Sequence, residues 1–263
     1  MGAVDFSIDA DLIAHLRTTL PFEVFVETGT FEGEAVARML PFFEEIHTIE
    51  LSDEYFARAA NRFRRDGAVD LHHGDSAYEL RSLRPRLQNR SVLYWLDAHW
   101  CVADGTAGES WQCPLLDELA ALEKLNDRSV VLIDDARLFL SPPPSSHEVS
   151  DWPSFQQVLQ ALLRLSEGHE IVVVNDVIVF FPGYVTASIV EYAHAKSIDL
   201  LATVNRIETL ERERALLEVV LEERLTAIND LTRAAEERLA IIEVMEAALA
   251  AFESSRERGL DTH

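Results

Sequence analysis

Lysine is nearly absent from this chain: Lys124 and Lys196 are the only two in 263 residues, against 46 acidic residues, and the formal net charge is −23. With no basic stripe to follow phosphates, neither nucleic acid nor an anionic membrane is an expected partner. Long apolar runs are missing as well, and none approaches the ~18 residues that a bilayer-spanning helix needs. The first residues carry Asp5, Asp9 and Asp11 where a secretory leader would place a basic region and then an apolar one, so a cytoplasmic setting is expected. Cysteine is scarce too. Cys101 and Cys113 flank one glycine-containing loop, and without a secretory signal two such thiols are expected to stay reduced. What remains is ample for a core: 48% of residues are hydrophobic, and the length suits one full α/β domain plus an appendage.

The apolar pattern alternates between two periods. Asp9 is placed to cap a helix carrying Leu12, Ile13, Leu16 and Leu20, which Pro21 ends. Strand-like runs follow at 23–28, 46–51, 69–72, 91–97 and 129–134, each preceded by a segment that can be helical, which predicts a doubly wound, mostly parallel α/β sheet. After a helical segment at 154–166 come two more β-rich runs, 170–174 and 177–181, joined at Asn175-Asp176 as a closing hairpin. Seven strands result.

The segment with most to say about function is Glu27-Thr28-Gly29-Thr30-Phe31-Glu32-Gly33, at the end of the first strand. Gly29 lets the chain turn with no side chain between backbone and ligand, and Gly33 lets the next helix lie close. Glu50 closes the second strand 23 residues after Glu27, where a carboxylate can accept both hydroxyls of a ribose. A nucleoside-bearing cofactor is implied. The spacing is not GxGxxG, so the seat for a dinucleotide pyrophosphate is missing and a nicotinamide-dependent oxidoreductase is disfavoured.

An acid followed by Gly-x-x-x-Gly resembles motif I of class I S-adenosylmethionine-dependent methyltransferases, and three further elements extend the likeness over roughly residues 20–182. They are Glu50, the acid in His73-Gly74-Asp75-Ser76, and the apolar strand Leu93 to Asp97. The resemblance implies a Rossmann-like methyltransferase fold and S-adenosylmethionine as cofactor, held by Glu27, Thr28, Gly29, Thr30, Phe31, Gly33, Glu50, Leu51, Asp75, Ser76 and Asp97. It also implies a role for Asp97 with the pair Asp134-Asp135, since catechol and macrocin-type sugar O-methyltransferases bind Mg²⁺ with an acid after strand four and an Asp-Asp or Asp-Asn pair after strand five. On that analogy Asp97, Asp134 and Asp135 ligate Mg²⁺ or Mn²⁺; alternatively Asp97 contacts the cofactor or substrate directly while Asp134 or Asp135 caps a helix or turn. A hydroxyl acceptor must lose a proton as it attacks, and His99 is the first candidate base, with His147 the second. Trp100 and Trp111 bracket a loop that can offer indole faces to a sugar ring, or serve as packing anchors.

An O-methyltransferase acting on a sugar, a glycosylated metabolite or a phenolic small molecule is thus the expected function. Asp97-Ala98-His99-Trp100 differs from the Asn/Asp-Pro-Pro-Tyr of amino-methylating nucleic-acid enzymes. An inactive methyltransferase-like scaffold is the rival. Residues 1–202 are read as the catalytic domain and 203–263 as a helical oligomerisation segment: from Tyr184 to Arg258 there is no glycine or proline. With Ile207 at position a, the a and d sites hold 11 apolar residues in 14, against about 7 expected from composition. Arg214, Arg224 and Arg238 take the other three, which strains a two-stranded zipper. A coiled-coil homo-oligomer, a single helix and a hairpin folded near Asn229-Asp230 all fit.

Overall fold

The computed structural model describes residues 8–101, 105–108 and 111–260. A seven-stranded sheet runs in the order β3-β2-β1-β4-β5-β7-β6. Its strands are β1 Val24–Thr28, β2 Ile46–Glu50, β3 Val69–His73, β4 Val92–Leu96, β5 Val130–Ile133, β6 His169–Val174 and β7 Val177–Pro182. The first five are parallel, and β7 runs antiparallel to both β5 and β6. Asn175, at φ 55°, turns the hairpin, with Val174 facing Val177 across it. This is the doubly wound, mostly parallel sheet expected from the pattern of elements, in the Rossmann-like form with a closing hairpin that the resemblance implies.

Both faces of the sheet are buried, which is why β1, β4 and β5 read as continuous apolar runs. Val24, Val26, Tyr94 and Leu96 pack with α4 (Ser76–Leu87), α5 (Leu115–Leu122) and α7 (Phe155–Leu165). Phe25, Leu93 and Trp95 point the other way, into a core shared with α1 (Ala10–Leu16), α2 (Glu34–Met39), α3 (Asp53–Arg62) and α8 (Thr186–Lys196). Asp9 caps α1 by accepting from the Asp11 amide, and Ser154 with Gln157 forms a capping box on α7. The short α6 is Arg137–Leu140.

One compact unit ends at Ser197 and a second begins at Ile198. The second is α9, Leu200–Leu260, 61 residues and about 90 Å long at ~1.5 Å per residue. It passes through Asn229-Asp230 without a break, so the hairpin alternative does not hold. The helical run from residue 184 is instead interrupted at Ser197, whose backbone is extended, and Asp199 restarts it by accepting from the Ala202 amide at 2.9 Å. Among the described residues no helix is long and apolar enough to cross a membrane.

Candidate active site

The strand order reverses between β1 and β4, and ligands of open α/β sheets bind beyond the carboxyl ends of the strands at such a point. A cavity of about 260 Å³ lies there. The β1 turn is held tightly against β4: Gly29 has φ +82°, and a Cβ on it would stand 2.3 Å from the Asp97 carbonyl oxygen. Phe31 also takes a positive φ, 47°, and its amide donates to Glu50 Oε2 at 2.8 Å. The Ser52 amide donates to Glu50 Oε1 at the same distance. Two backbone donors therefore fix the carboxylate that ends β2.

Of the residues expected to hold the cofactor, Gly29, Phe31, Glu50, Leu51, Asp75, Ser76 and Asp97 line this cavity. Asp75 also caps α4, accepting from the Tyr78 amide at 2.8 Å. Glu27, Thr28, Thr30 and Gly33 lie behind the lining. Glu27 is 1% exposed, accepts from the Thr48 hydroxyl at 2.5 Å, and is driven well above the usual carboxylate range by burial. The Thr30 and Thr48 hydroxyls are 2.6 Å apart. Gly33 serves packing: a Cβ there would meet the Phe63 ring at 2.6 Å.

His99 and Asp135 complete the wall. His99 Nε2 lies 2.9 Å from Asp135 Oδ2 and 3.5 Å from Asp97 Oδ1. The ring is walled edge-on by Trp152 and Phe139. Burial pulls the His99 pKa down, but the bond to Asp135 and the fields of Asp97, Asp135 and Asp134 outweigh it, and the net shift is upward. Asp135 moves the opposite way: burial raises its pKa, yet His99 and Arg137 hold it at about 2. Arg137 Nη1 donates to Asp135 Oδ1 at 2.5 Å and also pairs with Asp176 of the β6–β7 turn. Asp134 is fully buried, with Oδ1 on the Asp135 amide and Oδ2 without a partner, and burial pushes its pKa to about 8.

These placements bear on the cation expected among Asp97, Asp134 and Asp135. Both oxygens of Asp135 are engaged, by His99 and Arg137, Asp134 is not among the residues that line the cavity, and among the described residues no group of three or more His, Cys, Asp or Glu is spaced to hold a metal ion. As placed, the three carboxylates do not fit a divalent ion. His147 lines a second cavity of about 430 Å³, which shares Trp100, Cys101 and Asp135 with the first. It packs edge-on against Trp100 and Trp152, and its Nδ1 lies 3.0 Å from the Ser146 hydroxyl. Cys101 and Cys113 are free thiols.

No protein-family model matches the chain, and no curated protein matches it. Solved structures similar in fold include methyltransferases, some of them with S-adenosylmethionine or S-adenosylhomocysteine bound. An O-methyltransferase from Bacillus cereus in complex with S-adenosylhomocysteine is 13% identical, with a TM-score of 0.48 over 68% of this chain and 83% of that one. DesVI from Streptomyces venezuelae is also 13% identical, with a TM-score of 0.46 over 69% and 93%. An amino pentose methyltransferase of calicheamicin biosynthesis from Micromonospora echinaspora is 11% identical, with a TM-score of 0.42 over 65% and 88%. At such identities the likeness concerns the fold.

Arg137 and Glu118 were not among the candidates read from the sequence. Arg137 carried a signal, standing two residues past the acidic pair. Glu118 did too, as an acid on the apolar stripe of α5 formed by Leu115, Leu119 and Leu122.

Proposed function

We propose that the protein is an S-adenosylmethionine-dependent O-methyltransferase. The carrying observation is the charge of the cavity: Glu50, Asp75, Asp97 and Asp135 line it, and no lysine or arginine does among the described residues. A ligand bearing a sulfonium and an ammonium suits such walls, whereas a dinucleotide pyrophosphate would meet only like charge. Glu50 addresses the ribose, and Asp97 with His99 addresses the reacting end.

Methyl transfer is an in-line displacement. A lone pair of the acceptor oxygen forms the new C–O bond, the C–S bond breaks with its electrons left on sulfur, and the acceptor proton must leave. Ionised Asp135 accepts from His99 Nε2, which sets the tautomer and leaves the lone pair on Nδ1, the atom that takes that proton. Asp135 then stabilises the imidazolium. No divalent ion enters this scheme. The acceptor class we favour is a sugar or another ring-bearing hydroxyl compound, phenols included, because Trp100 and Trp111 line the cavity and offer indole faces. A cytoplasmic setting accords with the free thiols.

Calorimetric titration with S-adenosylhomocysteine, after chelation and again with Mg²⁺ and a catechol or sugar diol, tests the reading. Binding without metal is expected; no binding under either condition would leave the inactive scaffold as the better account. Diol binding only with Mg²⁺ would restore the ion to the mechanism, with His99 and Arg137 displaced from Asp135.

For α9 we propose self-association. Its a and d residues from Ile207 to Leu249 are exposed within one chain, Leu217 at 68% and Leu231 at 71% among them. A 61-residue helix with such a stripe is not expected to persist unpaired in water. Light scattering should give an oligomer for the full chain and a monomer after truncation beyond Ala202. A monomeric full chain would remove the assignment.

A further inference from the structure

The three arginines inside the apolar stripe of α9 restrict how a second copy can lie on it. Arg214 stands at an a site, and Arg224 and Arg238 stand at d sites, in the repeat that begins at Ile207. All three lie on one unbroken helix. A parallel two-fold pair sets a against a and d against d, so each residue faces its own copy. Three layers of such a pair would hold guanidinium against guanidinium in a seam that excludes water, where like charges are poorly screened.

Turning one helix end for end sets a against d instead. With the two-fold axis between Asn229 and Asp230, Arg214 faces Met245, Arg238 faces Leu221 and Arg224 faces Ala235. No arginine then meets another. Each arginine can lay its aliphatic stem along the seam and keep its charged head in water, and the small Ala235 leaves room for Arg224. The other layers are apolar on both sides, from Ile228 with Leu231 at the centre to Leu210 with Leu249 farther out.

Residues beside the stripe favour the same arrangement. Val220 and Ile241 both occupy g, and antiparallel helices set g against g, so the two apolar side chains meet across the pair. Parallel helices would set Ile241 beside Glu246 at e. Glu218, which lies 3.5 Å from Arg214 in its own helix, falls within one turn of Arg238 of the second copy. The register is specific as well. A shift of one heptad in one direction brings Arg214 opposite Arg238, and the opposite shift carries Ile207 and Leu210 past the last apolar site of the stripe.

We propose that α9 pairs with α9 of a second copy as an antiparallel two-stranded coiled coil whose two-fold axis passes between Asn229 and Asp230. This inference rests on the self-association assigned to α9 above. The two chains enter the pair from opposite ends, with their Leu200 residues about 90 Å apart at ~1.5 Å per residue.

Thiol cross-linking of the full chain with a short bismaleimide, read by mass spectrometry of the linked peptides, provides the test. Leu210 faces Leu249 of the second copy in this register, while the two copies of Leu210 stand about 60 Å apart. The double variant Leu210→Cys, Leu249→Cys should therefore give a covalent dimer joined 210 to 249, a link that one straight helix cannot make within itself. Leu210→Cys alone should give no 210-to-210 link. A 210-to-210 link overturns the proposal and leaves self-association standing, and so does a dimer with neither link. A full chain that light scattering finds monomeric overturns self-association, and this inference with it. Should the cysteine variants fail to fold, dihydrazide linking of carboxylates in the wild type takes their place. Glu211 and Glu246 both occupy e and come together only in the antiparallel pair. A 211-to-246 link supports the proposal, and a 211-to-211 link overturns it.

Discussion

Replacing His99 with glutamine is expected to lower kcat by about 100- to 10,000-fold, the usual contribution of a positioned general base, while S-adenosylhomocysteine affinity changes little. Glutamine fills similar space and can keep a hydrogen bond to Asp135, but it cannot take a proton. The wild-type rate should rise with pH. The base acts in its neutral form, and the carboxylates around His99 hold its pKa above the ordinary histidine value, so activity is low below that raised pKa and full above it. Asp135→Asn removes the strongest of those interactions. The rise should then move to lower pH and the plateau should fall, because asparagine no longer forces the Nε2–H tautomer. The profile of kcat against pH, on whichever diol the wild type methylates, reads both effects. A wild-type plateau in H99Q, or a D135N profile moved to higher pH, would remove His99 from the chemistry.

The acidic surroundings of His99 also explain why a protein cation can stand where the sequence led us to expect a metal. Asp97, Asp134 and Asp135 lie close enough to repel one another, and burial raises the pKa of Asp97 and Asp134. An imidazolium between Asp97 and Asp135, with a guanidinium on the far oxygen of Asp135, relieves that repulsion without an ion. Loss of the His99 proton, which must precede its action as a base, restores that repulsion, and this is a physical reason for its raised pKa.

Much of this arrangement was legible in the sequence because it rests on local rules. Gly29 before a helix, an acid closing β2 and alternating elements each carry a period or a conformational requirement that one chain displays. Glu27 shows where such rules stop. A strand buried on both faces has no polar-apolar alternation, so nothing in Val24–Thr28 told whether Glu27 would face the ligand or, as found, the Thr48 hydroxyl of the neighbouring strand. The pairing of His99 with Asp135, and of Arg137 with Asp176, depends on strand order and on the β6–β7 turn, both long-range outcomes. The break at Ser197 lies in a run without glycine or proline, and its one local mark is the capping residue Asp199. Residue 118 carries a local signal: positions 115, 118, 119 and 122 form one helical face, and an acid stands there among three leucines.

Gly29→Ala should abolish cofactor binding, with S-adenosylhomocysteine affinity down by about 100-fold or more, a loss of roughly 3 kcal/mol. Two costs combine. At φ +82° an alanine pays about 1–2 kcal/mol for the left-handed backbone alone. Its Cβ would also lie 2.3 Å from the Asp97 carbonyl oxygen and 2.8 Å from the carbonyl carbon, and these are backbone atoms fixed by the β1–β4 pairing. The turn must therefore move, taking with it the Phe31 amide that orients Glu50 and the wall formed by Asp97. Gly33→Ala makes the instructive contrast. It too has a positive φ, +76°, but its Cβ meets the Phe63 ring, a side chain facing the core between α2 and α3 rather than the ligand. That variant should lose thermal stability and keep most of its cofactor affinity. Calorimetry and thermal unfolding on the two variants side by side separate backbone approach at the ligand from helix packing behind it; wild-type affinity in G29A would mean that the cofactor does not lie against this turn.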